Sequence, residues 1–192
     1  MKKTVFALAA LFAVMGAAQA QNAKPLQYLA GFGFSNGGDN LAEVNYTNGH
    51  SQNIRAGGLL YLTAGVDYRI SPEFSVQGTV NYHINDTNAD NGKVKFQRFP
   101  IELIGYYHIN PQWRIGGGVR YTSSPKLSGS GVADGLEVKF DDATSGVVEA
   151  EYFWRPNVGF KMRYVNETFK VRGYHDLEVK ANHFGVSANF YF

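Results

Sequence analysis

Ten charged residues sit on one face of alternating runs in this chain: Asp67, Arg69, Glu102, Arg114, Arg120, Glu149, Glu151, Lys161, Arg163 and Glu167, five of each sign. Such groups could form ion pairs, or could serve acid–base catalysis if a nucleophile stood beside a base. The five histidines, His50, His83, His108, His175 and His183, are the natural bases. His50-Ser51 and His175-Asp176 are adjacent in sequence. Neighbours on an extended chain point to opposite sides, which is poor geometry for a nucleophile and its base. No two histidines have the close spacing of a local metal site. The expectation is therefore no catalytic, cofactor-binding or metal-binding residues.

The elements that position these charges are strands. In "HFGVSANFYF", Phe184, Val186, Ala188, Phe190 and Phe192 share one face, while His183, Gly185, Ser187, Asn189 and Tyr191 share the other. The same period of two runs through 28–35, 59–70, 74–84, 99–109, 113–121, 146–154 and 158–167. Eight strands are predicted. Three proline tripeptides, Ser71-Pro72-Glu73, Asn110-Pro111-Gln112 and Arg155-Pro156-Asn157, read as short hairpin turns, where proline's fixed φ fits and its missing N–H does no harm. Three-residue turns set Ile70 opposite Phe74, Ile109 opposite Trp113 and Trp154 opposite Val158. Counting outward places Glu102 opposite Arg120, Glu149 opposite Arg163 and Glu151 opposite Lys161, three acid–base pairs of the kind that stabilise adjoining strands. Between hairpins, 36–58, 85–97, 122–145 and 168–181 read as long polar loops. The patches "LAEVNYT" (41–47) and "LEVKF" (136–140) within them read as strand extensions or as edges for a surface partner.

Alternation alone does not say which face is inside. The apolar face carries aromatics at the turn end (Phe74, Trp113, Trp154, Phe192) and others near the loop end (Tyr82, Phe99, Tyr121, Tyr164, Phe184). That is the pattern of two girdles bounding an apolar band ~25 Å tall. Balanced charges suit a closed interior, with Gly116, Gly118 and Gly185 making room for long side chains. The expected fold is all-β: an eight-stranded antiparallel up-and-down transmembrane β-barrel. Eight strands leave an interior that side chains fill, so open diffusion of solutes is not expected. Residues 1–20 have a basic start at Lys2 and Lys3, an apolar run to Met15 and small residues at Ala18 and Ala20. They read as a cleaved export signal, leaving 21–192 as the barrel domain. Loss of Lys2 and Lys3 takes 18 basic residues to 16 against 16 acidic, and this neutral balance points away from nucleic acid. The zero cysteine count excludes disulfides.

Phe192, preceded by Phe184, Val186 and Phe190 at alternate positions, resembles the C-terminal assembly signal of Gram-negative outer-membrane proteins. With the leader and eight strands, the chain is similar to the small OmpA/OmpX-type and opacity-like barrels. The resemblance implies the cell outer membrane as location, the barrel assembly machinery as a partner during insertion, and a monomer without cofactor. Its role would be non-enzymatic, in envelope integrity or surface interaction, adhesion included. One alternative is a lipid A-modifying enzyme, although the deacylase family's histidine and serine two apart on one strand are not found here, and omptin-type proteases are longer, ten-stranded barrels. The other is a small-solute channel. No peptidoglycan-binding domain is expected after the barrel, so anchoring of the OmpA kind is not implied. Following the apolar parity into the loops reaches Lys93, Lys95, Lys170, Arg172 and Lys180. These are candidate contacts for the phosphates of lipopolysaccharide, with Lys170, Arg172 and Lys180 on one cluster and Lys93 and Lys95 on a second.

Overall fold

Among the described residues, thirteen strands form where the alternation is read, and also where it is not. The computed structural model describes residues 25–45, 51–89 and 92–192, and the expected leader lies outside them. The strands are β1 (Leu26–Gly37), β2 (Asn40–Asn45), β3 (Ser51–Arg55), β4 (Leu59–Arg69), β5 (Phe74–Ala89), β6 (Gly92–His108) and β7 (Trp113–Gly131). They continue with β8 (Glu137–Lys139), β9 (Ala143–Arg155), β10 (Val158–Asn166), β11 (Thr168–Val171), β12 (Tyr174–Lys180) and β13 (His183–Tyr191). Eight of them close a barrel in the order β1–β4–β5–β6–β7–β9–β10–β13, each antiparallel to its neighbours, with β13 returning to β1. Closure leaves no unpaired edge within the barrel.

The turns fix the register by local hydrogen bonding. Ile70 N–H donates to Phe74 O and Ile109 N–H to Trp113 O, each at 2.9 Å. Ser71 Oγ accepts from the backbone of Glu73 and Phe74, and Asn110 Oδ1 from that of Gln112 and Trp113. Such side-chain acceptors hold a turn that proline has already bent. The third turn differs from expectation. Val158 lies opposite Arg155 rather than Trp154, and a bulge before Gly159 restores the register by Phe153. From there Glu151 faces Lys161 and Glu149 faces Arg163, while Glu102 faces Arg120 across the neighbouring hairpin.

The stretches expected as long loops are mostly strand. β5 and β6 stay paired out to Ala89 and Gly92, β7 pairs with β6 as far as Gly131, and β2–β3 and β11–β12 form hairpins of their own. The physical reason is a change of polarity between faces. Within the barrel, β6 turns Phe99, Ile101 and Leu103 outward and Arg98 and Glu102 inward; beyond it, Val94 and Phe96 point inward and Lys93 outward. Period two persists, but the apolar face changes sides, so the run reads as interrupted. The inward residues of the extension, among them Ile54, Phe96, Leu127, Phe140 and Phe169, pack into a buried apolar cluster. Phe96, Phe140 and Phe169 meet with ring centroids 5.8 to 6.2 Å apart. The barrel is thus capped at its loop end by a core like that of a water-soluble domain.

Candidate functional site

The inward face carries the charges. Arg114 is the centre of one group near the turns: Nη1 meets Asp67 Oδ2 and Nη2 meets Glu151 Oε2, both at 2.7 Å. Tyr191 Oη accepts from Arg114 Nη2 at 2.7 Å and donates to Glu151 Oε1 at 2.7 Å. The guanidinium lies 4.0 Å from the centroid of the Tyr106 ring. Gly116 leaves the space that ring fills, since a Cβ there would stand 2.5 Å from Tyr106 Cδ1. Gly185 does the same for Arg163, whereas Gly118 faces the backbone of Leu103 instead of a long side chain.

The three register pairs meet, within a wider network. Arg120 reaches Glu102 at 3.0 Å and Arg163 reaches Glu149 at 2.5 Å. Lys161 stands 3.0 Å from Glu149 but 4.0 Å from Glu151, the residue directly opposite it. Arg163 also reaches Glu102 at 2.7 Å, which ties the two hairpins together across the lumen. Glu167 takes Arg98 at 3.0 Å and Arg120 at 3.3 Å. Arg98, fully buried, falls between the loop read as 85–97 and the strand read as 99–109, so the inward bases number one more than the sequence count. The signal that could have found it was the unbroken alternation Val94, Phe96, Arg98, Pro100, Glu102.

The sequence search for a histidine–serine contact missed one that folding makes. Ser75 Oγ lies 2.9 Å from His108 Nε2 at the turn-end mouth, although 33 residues separate them. A base is normally oriented by an acceptor on its other nitrogen. Here Arg69 Nη1, a cation, lies 3.0 Å from Nδ1, and Ser75 Oγ also takes a bond from Arg114 at 3.1 Å. Cations on both members oppose formation of an imidazolium, so the contact closes the mouth rather than activating the serine. Among the described residues no three His, Asp or Glu side chains gather as a metal site.

On the outer face of the extension, Lys93, Lys170, Arg172 and Lys180 are exposed and Lys95 half-buried. Thr168 pairs with Lys180 and Lys170 with Glu178, so Lys170 and Lys180 share a face of the β11–β12 hairpin with Glu178 beside them. Lys170 contacts Glu178 at 3.6 Å, while Arg172 turns towards β8 and meets Asp141 at 3.4 Å. The two expected clusters are joined by residues the sequence reading passed over. Lys126 lies opposite Lys139, and both hold Glu137, at 3.2 and 3.0 Å. Those two ammonium groups, Lys139 first, keep the Glu137 carboxyl below its ordinary range. Phe184, Val186 and Phe192 project outward on the barrel, and Phe192 exchanges two backbone bonds with Tyr28, 2.9 and 3.0 Å, at the β13–β1 seam.

An apolar outside and a filled ionic inside on eight antiparallel strands call for an apolar surrounding. The outer membrane protein beta-barrel domain family matches residues 4–192. The chain belongs to that family. A search of the curated proteins finds no match. Among solved structures, the fold is similar to Ail of Yersinia pestis in complex with the heparin analogue sucrose octasulfate. That likeness has 12% identity and TM-score 0.57, covering 87% of this chain and 97% of that one. Neisserial surface protein A is similar at 13% identity and TM-score 0.51, covering 90% of this chain and 100% of that one.

As an integral outer-membrane barrel, the protein presents its exposed apolar face to lipid. Phe74, Trp113, Trp154 and Phe192 then form the turn-side aromatic belt, and Phe99, Tyr121 and Phe184 belong to the loop-side one, all outward. Amphipathic rings settle at membrane interfaces, one end apolar and one wet. Short turns face the periplasm and the capped extension faces outside, the orientation general to such barrels.

Proposed function

We propose that the protein is a non-enzymatic surface platform that serves envelope integrity or surface interaction, adhesion included, and that it grips lipopolysaccharide through phosphate. The observation that carries this reading is the paired-strand wall above the lipid band, stiffened by its own apolar core and basic on its outward face. Guanidinium binds phosphate as a fork and ammonium as a point charge. On this reading Lys93, Lys95, Lys170, Arg172 and Lys180, on the extension beyond the lipid-facing band, reach the outer leaflet's phosphates, and Lys126 and Lys139 add to the same arc. The protein works as a monomer. Phe184, Val186, Phe190 and Phe192 form the segment that the barrel assembly machinery reads during insertion.

The test is thermal unfolding of the Lys170→Gln, Arg172→Gln, Lys180→Gln triple variant with and without lipopolysaccharide. Lipopolysaccharide is expected to raise the midpoint of the parent and to raise that of the variant less. Comparing shifts rather than midpoints removes the contribution of the Glu178 and Asp141 contacts that the variant also loses. Equal stabilisation of the two proteins would show that these residues do not hold it. Sucrose octasulfate, the ligand of the Ail complex, is a soluble anionic probe for the same face.

A further inference from the structure

Lys126 and Lys139 converge on one atom. Both ammonium groups hold Glu137 Oε1, Lys126 at 3.2 Å and Lys139 at 3.0 Å. The register explains how the three meet. β7 and β8 pair Lys126 with Lys139 and Ser128 with Glu137, so the carboxylate starts one step above the two lysines on the outward face. Leu127 and Val138, the residues between, pack into the apolar cap. On the other side of β7, Gln97 pairs with Lys126 and Lys95 with Ser128. One outward row therefore reads Lys95, Ser128, Glu137 across β6, β7 and β8, with Lys126 and Lys139 in the row beneath.

This clamp sits at the edge of the lipid band. Phe99, of the loop-side aromatic belt, is the next outward residue below Gln97 on β6, so Lys126 comes immediately above the belt, at the level of headgroups. The side chains of Lys126, Lys139 and Glu137 are 34%, 54% and 51% exposed, and ion pairs this open are worth little. An incoming anion can therefore displace the carboxylate, provided that it does better than one charge already tethered in place. A phosphodiester also carries one charge and gains little by the exchange. A phosphate monoester carries about −1.5 to −2 and offers three acceptor oxygens, enough to take each ammonium on its own oxygen. Lys95, half-buried and without an ion pair among the described residues, starts two strands from Glu137, roughly 10 Å, and is the next cation along the row.

We propose that Lys126 and Lys139 form a subsite for phosphate monoesters of the outer leaflet, and that Glu137, which occupies it in the free protein, rejects phosphodiester lipids. The inference rests on the proposed grip on lipopolysaccharide phosphate and adds which phosphates that face accepts. Glu137 is then the specificity-determining residue: the clamp opens only to an anion of higher charge than its own carboxylate.

The experiment measures the thermal midpoint of the whole protein in neutral detergent micelles doped with phosphatidic acid, a monoester, or phosphatidylglycerol, a diester, above the monoester's second pKa of ~6. Phosphatidic acid is expected to raise the parent's midpoint by on the order of 2–4 °C more than phosphatidylglycerol does. Glu137→Gln is expected to close that gap by raising the phosphatidylglycerol shift, and the Lys126→Gln, Lys139→Gln double variant by lowering the phosphatidic acid shift. Asp86→Asn removes the same charge from the same face, opposite Lys95, but leaves the clamp occupied, so its gap is expected to match the parent's. Equal shifts for the two lipids in the parent, or a gap that Asp86→Asn closes as fully as Glu137→Gln, overturns the proposal. Inorganic phosphate without lipid is expected to give no shift, and a shift equal to that of phosphatidic acid overturns the membrane source in favour of soluble phosphate. No gap, while lipopolysaccharide still stabilises the parent more than the Lys170, Arg172 and Lys180 variant, overturns this inference alone. A gap without that difference overturns the grip of those three residues and leaves the subsite standing.

Discussion

Replacing Glu102 with glutamine keeps the side chain's size and removes one negative charge from the upper lumen. Glu102 accepts from Arg120 at 3.0 Å, Arg163 at 2.7 Å and Thr79 at 3.2 Å, and all four side chains are buried. Loss of its charge leaves Arg98 and Arg120 sharing Glu167 and Arg163 sharing Glu149 with Lys161, four cations on two carboxylates, whereas Arg120→Gln leaves Arg98 with Glu167 and Arg163 with Glu102 and Glu149. The two cations bound by one carboxylate lie on the order of 6 Å apart, where like charges repel by about 3 kcal/mol at an effective dielectric near 20. Breaking a buried ion pair costs about 3–5 kcal/mol, so Glu102→Gln is expected in that range. Arg120→Gln loses charge-assisted hydrogen bonds but leaves these cations paired, and is expected to cost about 1–2 kcal/mol. The assay is reversible urea unfolding from lipid vesicles, followed by the fluorescence of the outward Trp113 and Trp154. If Arg120→Gln destabilises the barrel as much as Glu102→Gln, or more, local charge excess does not govern this lumen.

Two further outcomes follow from the cap and the seam. Phe169→Ala opens a hole in the fully buried centre of the apolar cluster, and a deletion of that kind costs about 3–5 kcal/mol. The extension is expected to become sensitive to external protease while strands in the lipid band stay protected, so unchanged protease resistance would show that the cluster does not hold the extension. Deleting Phe192 is expected to slow insertion into the outer membrane while export continues. It also removes the two backbone bonds to Tyr28, so insertion rate and thermal midpoint are measured separately, and a lower midpoint with normal insertion kinetics would leave only a structural role.

Much of the barrel was legible because a strand's side chains alternate with period two whatever their neighbours are. Three-residue turns at Ser71-Pro72-Glu73 and Asn110-Pro111-Gln112 carry that alternation across hairpins, which is why Glu102 and Arg120 could be set opposite each other from sequence. The bulge beside Val158 escaped this reasoning because it shortens the turn by one residue and leaves Trp154 as the extra one in the strand, without changing the pairing of Glu151 and Lys161. The extension escaped it for another reason. Where the surroundings change from lipid to water, the apolar residues move from the outer face to the inner one. Val94 and Phe96 therefore look out of phase with Phe99 and Ile101, although one strand carries all four.

By itself, the sequence determined the eight barrel strands, the split of each into two faces and the register of the proline-turn hairpins beyond the turns, since all three depend on residues near one another in the chain. Only the closed barrel decided which inward residues meet across the lumen. Asp67 and Arg114 are 47 positions apart, Arg163 and Glu102 are 61, and Arg98 and Glu167 are 69. Ser75 and His108 meet only because β5 lies beside β6 at the mouth. No local period encodes such contacts. They follow from the curvature and stagger that eight strands must adopt to close, which bring distant positions to the same height and turn pairs into a network.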